Sequence, residues 1–487
     1  MFKSDQVLME KWAPVLDHAS APIIESHEKK AVTARLLENT EEALRQESAA
    51  SSYSISEAIE GTSTASVENP DPVLISLVRR AMPNLIAYDV ASVQPMSGPT
   101  GLIFAMKSRY DTEDGGVTTA DAEALFDEAD TDFSGAGTHK AVGGGVVAAT
   151  NHTAGQVVQI VNPGDTDWDA TNVGGPATAV GGEIYTSGSA APTGTGTIIV
   201  LGIDGTGTGK ATTAGEDGAP NKMGFTVEKV SVTAKTRVLQ AEYTMELAQD
   251  LKAVHGLDAE AELANILSSE ILGEINREVI RNINYTAKLG TTGTNTGSLD
   301  LTLSNSGAGA DGGSGRWQAE VFQGLAFRLE QEANIIAKET RRGKGNYVIC
   351  SSNVAAALSA AGSMAYGSAQ AAGDLAVDNA GNTFAGTLKN GMKVYVDPYA
   401  GYDYATVGYK GTNTYDAGLF YCPYVPLTML KAVNADDFQP KVGFKTRYGL
   451  VANPFAVEGS TGAITEALGV GSARSNPYFR QNIIVGI

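Results

Sequence analysis

Leu263, Leu267, Ile271, Ile275, Val279 and Ile283 stand four residues apart without a break, flanked by Glu260, Glu262, Glu270, Glu274, Arg277 and Arg281. Residues i and i+4 share one helical face, so the row predicts an amphipathic helix from Asp258 to about Lys288. Thirty residues at ~1.5 Å each make a rod of about 45 Å, well beyond an average globular helix. Its glutamates gather in the N-terminal half, where the helix dipole favours them. A shorter helix, Met245–Val254, precedes it and stops at His255-Gly256, a glycine suited to the left-handed position after a helix end; Asp258 then caps the rod. Before both, Met223–Tyr243 reads as strand, with Phe225, Val227, Val230 and Val232 in near alternation.

A rod of this length belongs to a large body. At 487 residues the chain exceeds what one core serves, and 43% hydrophobic against 18% charged residues excludes disorder. The 56 glycines are not spread evenly: residues 1–57 contain none, so the neighbourhood of Glu57 is the sharpest compositional boundary. In that head segment Val7, Leu8, Trp12, Val15 and Leu16, then Val32, Leu36, Leu37 and Leu44, predict two short amphipathic helices broken near Pro22. Such helices pack on their own domain or dock on another protein; a detachable segment favours docking. Residues 51–72, rich in Ser, Thr and Ala and ending in Asn69-Pro70-Asp71-Pro72, read as a linker or extended arm. The apolar stretch Val73–Ile86 follows, with Arg79 and Arg80 together as a solvated or salt-bridged face, or else as an interface or phosphate contact.

From 111 to 220 there is no arginine and only Lys140 and Lys210 against sixteen acidic residues, so this stretch carries −14 (2 − 16). Runs such as Gln156–Val161 and Thr197–Ile203 between glycine turns predict an inserted β-rich lobe. Further on, Phe322, Leu325, Leu329, Ala333 and Ile336 mark another amphipathic helix. A buried strand, Tyr347–Ser351, is entered from Arg342-Gly343-Lys344-Gly345. The Ala/Gly stretch 355–382 reads as mobile, and strands follow at Lys393–Asp397, Ala405–Tyr409 and Leu419–Val425.

Catalytic and metal motifs are near misses. Asp204-Gly205-Thr206-Gly207-Thr208-Gly209-Lys210-Ala211 lacks the first glycine and the metal-binding hydroxyl of a phosphate loop. Asp130-Thr131-Asp132-Phe133-Ser134-Gly135 opens like a calcium loop, but Ala141 stands where the bidentate glutamate belongs; Asp165, Asp167 and Asp169 precede Ala170 where a glycine is needed. His18, His27, His139, His152 and His255 are scattered. Cys350 and Cys422 make no disulfide framework, and Cys350 reads as a small core residue. No cofactor and no structural metal is expected, no stretch approaches a membrane span, and a net charge of −20 disfavours generic nucleic-acid binding.

Particular strings carry more. Leu77-Val78-Arg79-Arg80-Ala81-Met82-Pro83-Asn84-Leu85-Ile86-Ala87-Tyr88-Asp89, Gln94-Pro95-Met96 and Pro99-Thr100-Gly101 resemble the arm and loop start of T-even-type myovirus major capsid proteins. So do the blocks from Glu246 through His255-Gly256 to Val279, Val407 to Gly411, Asp416-Ala417-Gly418, and Gly443 to Gly449. The resemblance covers nearly the whole chain and is weakest across 111–220. It implies an α+β tailed-phage capsid fold of the Hong-Kong-97 type. Its parts are a removed head segment 1–57, an N-arm 58–97, an extended loop 98–245 carrying the lobe at about 111–220, a peripheral domain 246–320 with spine helix 258–288, an axial domain 321–430, and a return to the peripheral domain over 431–487.

It also implies a precursor cut by a prohead protease after a Leu/Ile-x-Glu tripeptide. Leu8-Met9-Glu10 and Leu36-Leu37-Glu38 satisfy that pattern, but the glycine boundary selects Ile55-Ser56-Glu57, before Ala58. Removal of six basic and ten acidic residues leaves 29 and 45, net −16, on a 430-residue product (487 − 57). The implied role is a shell subunit without bond-making chemistry. Its partners are copies of itself in hexamers, scaffold and protease during assembly, portal, vertex and decoration proteins, and double-stranded DNA in the lumen held without sequence-specific binding. The implied location is the virion shell, assembled in the host cytoplasm. Arg79, Arg80, Gln94, Pro95 and Gly101 are the candidate intersubunit contacts. A surface-layer β-rich protein and a hydrolase with an acidic pair are the rival classes.

Overall fold

A computed structural model describes residues 5–17, 24, 26–55, 85–111, 221–290, 297–301, 317–362, 364–365, 383–413, 416–433, 439–453 and 474–486, with shorter stretches between 124 and 212. The helices among them are α1 (Asp5–Leu16), α2 (His27–Ile55), α3 (Ala87–Val90), α4 (Met245–Val254), α5 (Ala259–Thr286), α6 (Gln318–Thr340) and α7 (Ser352–Ala360). Two compact units emerge: Met1–Ala105 with Glu228–Ile487, and Met106–Val227.

In the first unit α5 is the predicted rod. Asp258 accepts a hydrogen bond from Glu260 N at 3.1 Å, and Gly256 takes φ +68° after α4. From Leu267 onward the row is buried: Leu267, Ile271, Ile275, Val279 and Ile283 are at most 7% exposed. They share a core with Leu419, Tyr421, Val442, Phe444 and Tyr448 of a four-stranded sheet. Its order is Ser92–Val93, Leu419–Val433, Pro440–Ala452, Lys235–Glu242. Val442, Phe444, Thr446 and Tyr448 face inward with the period of two that a half-buried strand requires. Arg237 crosses from the edge strand to Glu274 at 2.8 Å and Glu278 at 2.6 Å, fixing the helix on the sheet.

An eight-stranded mixed sheet runs Ser298–Asp300, Asn476–Val485, Tyr404–Gly408, Tyr347–Ser351, Lys393–Asp397, Thr383–Leu388, Met364–Ala365, with Ala287–Leu289 also on Asn476–Val485. Tyr347–Ser351 is buried on both faces. Val348 and Cys350 point to a core with Leu325, Leu329, Ala333 and Ile336 of α6, whereas Tyr347 and Ile349 join the core of α5. Each fully buried aliphatic side chain contributes about 1.5–3 kcal/mol, so this one strand anchors two cores at once. Leu419–Val433 pairs with Pro440–Ala452 and not with the strands at 347–408, while Asn476–Val485 joins the latter. The sheets thus do not follow the boundaries at 430 and 431.

Four expectations are corrected. The second head helix is not short: α2 has 29 residues. It extends to Ile55, so 51–55 is helix and not linker, because Ser and Ala runs without Gly or Pro continue a helix once it is packed. The head helices are not held out for another protein either. Leu8, Trp12, Leu16, Ile24, Ala34, Leu36 and Leu37 are buried in the same core as α5, since an amphipathic stripe tethered beside an apolar sheet finds its partner within the chain. Finally, 355–360 is not mobile loop but part of α7. Ser351 caps it through Val354 N, and alanine is the strongest helix former.

In the second unit, strands Val146–Ala148, Thr197–Val200, Val157–Asn162 and Ile184–Thr186 form an antiparallel sheet in that order, with Val158, Ile160 and Ile198 fully buried. Two of them coincide with the runs read from sequence. Strands Thr100–Tyr110 and Met223–Thr233 pair as a two-stranded ribbon carrying the chain out of the first unit and back.

Candidate assembly surfaces

Gln94 and Pro95 lie in the turn segment that precedes the ribbon, and Gly101 is the second residue of the outgoing strand Thr100–Tyr110. Gln94 N donates to Tyr421 O and Met96 N to Pro423 O, both at 2.9 Å. The partner strand is bulged between Pro423 and Val425, where proline has no N–H to give the ladder. Gln94 and Pro95 are half-buried and Met96 is buried. A Cβ at Gly101 would meet Met96 Sδ at 2.9 Å, so the turn closes tightly on that side chain. Gln94 N and Met96 N are thus both bound inside the subunit. Ile55 is the last residue of α2. Glu57, Ala58, Arg79 and Arg80 lie outside the described residues.

The larger exposed features were not singled out from sequence. Along the outgoing strand Leu102, Phe104 and Met106 are 56%, 47% and 72% exposed. Along the returning strand Met223, Phe225 and Val227 are 52%, 69% and 60% exposed. Each set lies on one face of its strand by the period of two. Helix α4 has no buried residue and exposes Met245, Leu247 and Val254, and Leu257 and Ile266 further along the chain are exposed as well. Runs of exposed apolar residues on this scale mark surfaces that another polypeptide covers. The signal lay in the alternation of 223–227, which identified a strand but not which of its faces is bare.

The polar clusters are structural. Asp397, 3% exposed, receives the Arg277 guanidinium, the Tyr404 hydroxyl at 2.7 Å and Tyr399 N at 3.0 Å, so both carboxylate oxygens are occupied. Burial, then the Asp397 partner, holds the Tyr404 hydroxyl well above the usual phenol range. Burial pushes the Cys350 and Cys422 thiols up to about 12, leaving them inert at neutral pH. Lys410 donates to Tyr88 O, and its burial pulls the ammonium below its ordinary value. Among the described residues no group of three or more His, Cys, Asp or Glu side chains is placed to hold a metal, and no helix is long and apolar enough to cross a membrane. The loop at 204–211 and the acidic loops at 130–141 and 165–170 lie largely outside the described residues.

The profile of Major capsid protein Gp23 matches residues 67–484. The chain belongs to the Gp23 major capsid protein family. The major capsid protein of Salmonella phage ViI is 38% identical, aligned over 98% of this chain and 97% of its own length. That of Vibrio phage KVP40 is 35% identical over 99% and 100%, and that of Enterobacteria phage T4 is 34% identical over 100% and 99%. Capsid vertex proteins of Escherichia phage AR1 and Enterobacteria phage T4 are 28% and 27% identical over 48% of this chain. Among solved structures, the capsid of Myoviridae Phage XM1 superposes with a TM-score of 0.31 and 14% identity over 56% of this chain and 80% of that one. So loose a superposition adds nothing to the family assignment.

As a member of this family the protein is a structural subunit of the capsid shell, and the family is not one of enzymes. The α+β architecture and the bare apolar surfaces on the ribbon and on α4 agree with a chain that is completed by neighbours.

Proposed function

We propose that the protein self-assembles into hexameric capsomers that close into an icosahedral or prolate shell around packaged double-stranded DNA. The observation that carries this is the set of bare apolar residues on the ribbon and on α4, in a chain whose family forms capsids. Interfaces assembled from such surfaces commonly exceed about 1,200 Å² and can outweigh the stability of an isolated subunit. Scaffold and prohead protease act on the precursor, with the cut after Glu57 giving a product that starts at Ala58. Vertex positions fall to a separate, related protein, in keeping with the resemblance to capsid vertex proteins across 48% of the chain. Portal and decoration proteins complete the head. A net charge of −16 after the cut keeps DNA from adhering to the wall. Electron microscopy of the purified, processed protein tests the assembly: closed particles are expected, and a chain that stays monomeric at high concentration overturns it. The N-terminal sequence of shell subunits tests the cut, and any start other than Ala58 overturns that part.

A further inference from the structure

The head segment is docked by specific groups as well as by apolar burial. Thr33, Leu36, Leu37 and Thr40 form an i, i+3, i+4, i+7 stripe on α2 that is at most 3% exposed. The two threonine hydroxyls donate to Lys29 O at 2.6 Å and Leu36 O at 2.7 Å, so the face is apolar in effect. Beside it the Asn39 side-chain amide donates to Met96 O at 2.8 Å and Tyr424 O at 2.9 Å. Those carbonyls come from the turn at the ribbon's start and from the bulge next to Pro423, where the ladder is interrupted. Asn39 thus bridges two backbone segments of the body that the sheet leaves open. Lys29 pairs with Asp89 at 3.1 Å, and Lys11 with Glu38 and Glu41 at 2.6 Å holds α1 against α2. Leu8, Trp12 and Leu16 complete the buried side of α1.

None of these contacts depends on the peptide link that follows α2. We propose that the body carries a seat for an amphipathic helical hairpin, that its occupant is the chain's own head, and that the head stays bound there after the link is cut. This rests on the reading that the head is severed from the body. Scission removes only the effective concentration supplied by the tether. It leaves the stripe, the Asn39 bridge and the ion pair in place. Release then requires the helices themselves to be opened, and the backbone at Glu10 and Glu38 is locked within α1 and α2 while the head is seated.

The test uses the full chain with a site-specific protease recognition sequence inserted between Glu57 and Ala58. After the cut, the sample is passed through a sizing column at about 1 µM and each fraction is resolved on a denaturing gel. The head fragment is expected to elute with the body. Separation of the two overturns the proposal. Leu36→Asp with Leu37→Asp is expected to release the head on cutting. Asn39→Asp, which replaces the shared donor by an acceptor facing two carbonyls, is expected to weaken retention at least about tenfold. Retention unchanged in both variants also overturns the proposal, because the head would then be held elsewhere. A seated head on the cut chain, together with shell subunits that begin at another residue, would reject the cut after Glu57 and leave the seat standing.

Discussion

Phe225 offers the most direct reading of whether the ribbon's bare face serves assembly. Its ring is 69% exposed in the subunit, so most of its transfer free energy is still to be gained. Full burial of a phenylalanine is worth up to about 3 kcal/mol, and the unspent fraction here comes to about 2 kcal/mol per subunit. Phe225→Ala should forfeit that amount at each contact. Every 1.4 kcal/mol is a factor of ten in an equilibrium constant, so the critical concentration for particle formation should rise about thirtyfold. The subunit itself should not change, because the ring has little packing to lose. Light scattering against protein concentration gives the threshold, and circular dichroism with thermal unfolding of the unassembled chain checks the fold. A threshold within threefold of the parent would refute the assignment of this face to an interface. So would a melting temperature lowered by more than a few degrees, since the ring would then be part of the subunit's own core.

Asp397→Asn leaves Arg277 without its counter-charge and weakens the bonds from Tyr404 and Tyr399 N; a loss of about 2–4 kcal/mol is expected in denaturant unfolding, and under 0.5 would show the cluster to be dispensable. Gly345→Ala places a Cβ 2.8 Å from Val407 Cγ1 and 3.3 Å from Ala333 Cα, pushing α6 off the sheet at a cost of about 1–3 kcal/mol by thermal unfolding. The folded Cys350 and Cys422 thiols lie at about 12 against an ordinary value of 9. Their neutral form is therefore favoured in the fold, and that contribution is whole below pH 9 and lost as pH climbs toward 12. Between pH 9 and 10 stability should fall by about 1 kcal/mol per thiol, and a double Cys→Ala variant should show a flatter profile.

What could be read from the chain depended on how local its physics is. The rod was legible because Leu267 to Ile283 repeats one face for many turns, and its start because Asp258 and Gly256 each have one favoured backbone role. α6 and the strand at 347–351 were legible for the same reason, having strong apolar periodicity or a short apolar run between breakers. α7 was missed because Ala and Gly were read together as loop, although the segment 352–360 contains no glycine. The head's docking could not be read at all. An amphipathic stripe states that a partner exists and not which one, and the Asn39 bridge joins residues 57 and 385 positions apart. The candidate contacts Gln94, Pro95 and Gly101 came from resemblance, whereas the bare faces of 102–106 and 223–227 needed the fold to show which side of each strand stays uncovered.

The strand Asn476–Val485 is inserted between elements made long before it. It pairs with 287–289 and 298–300 on one side and with 404–408 on the other, and seven of its ten residues in succession are buried. On a ribosome those neighbours emerge first and wait with an empty slot between them. Closure of the mixed sheet therefore waits for this strand, which follows all its partners in the chain, the slow, long-range step that high contact order imposes.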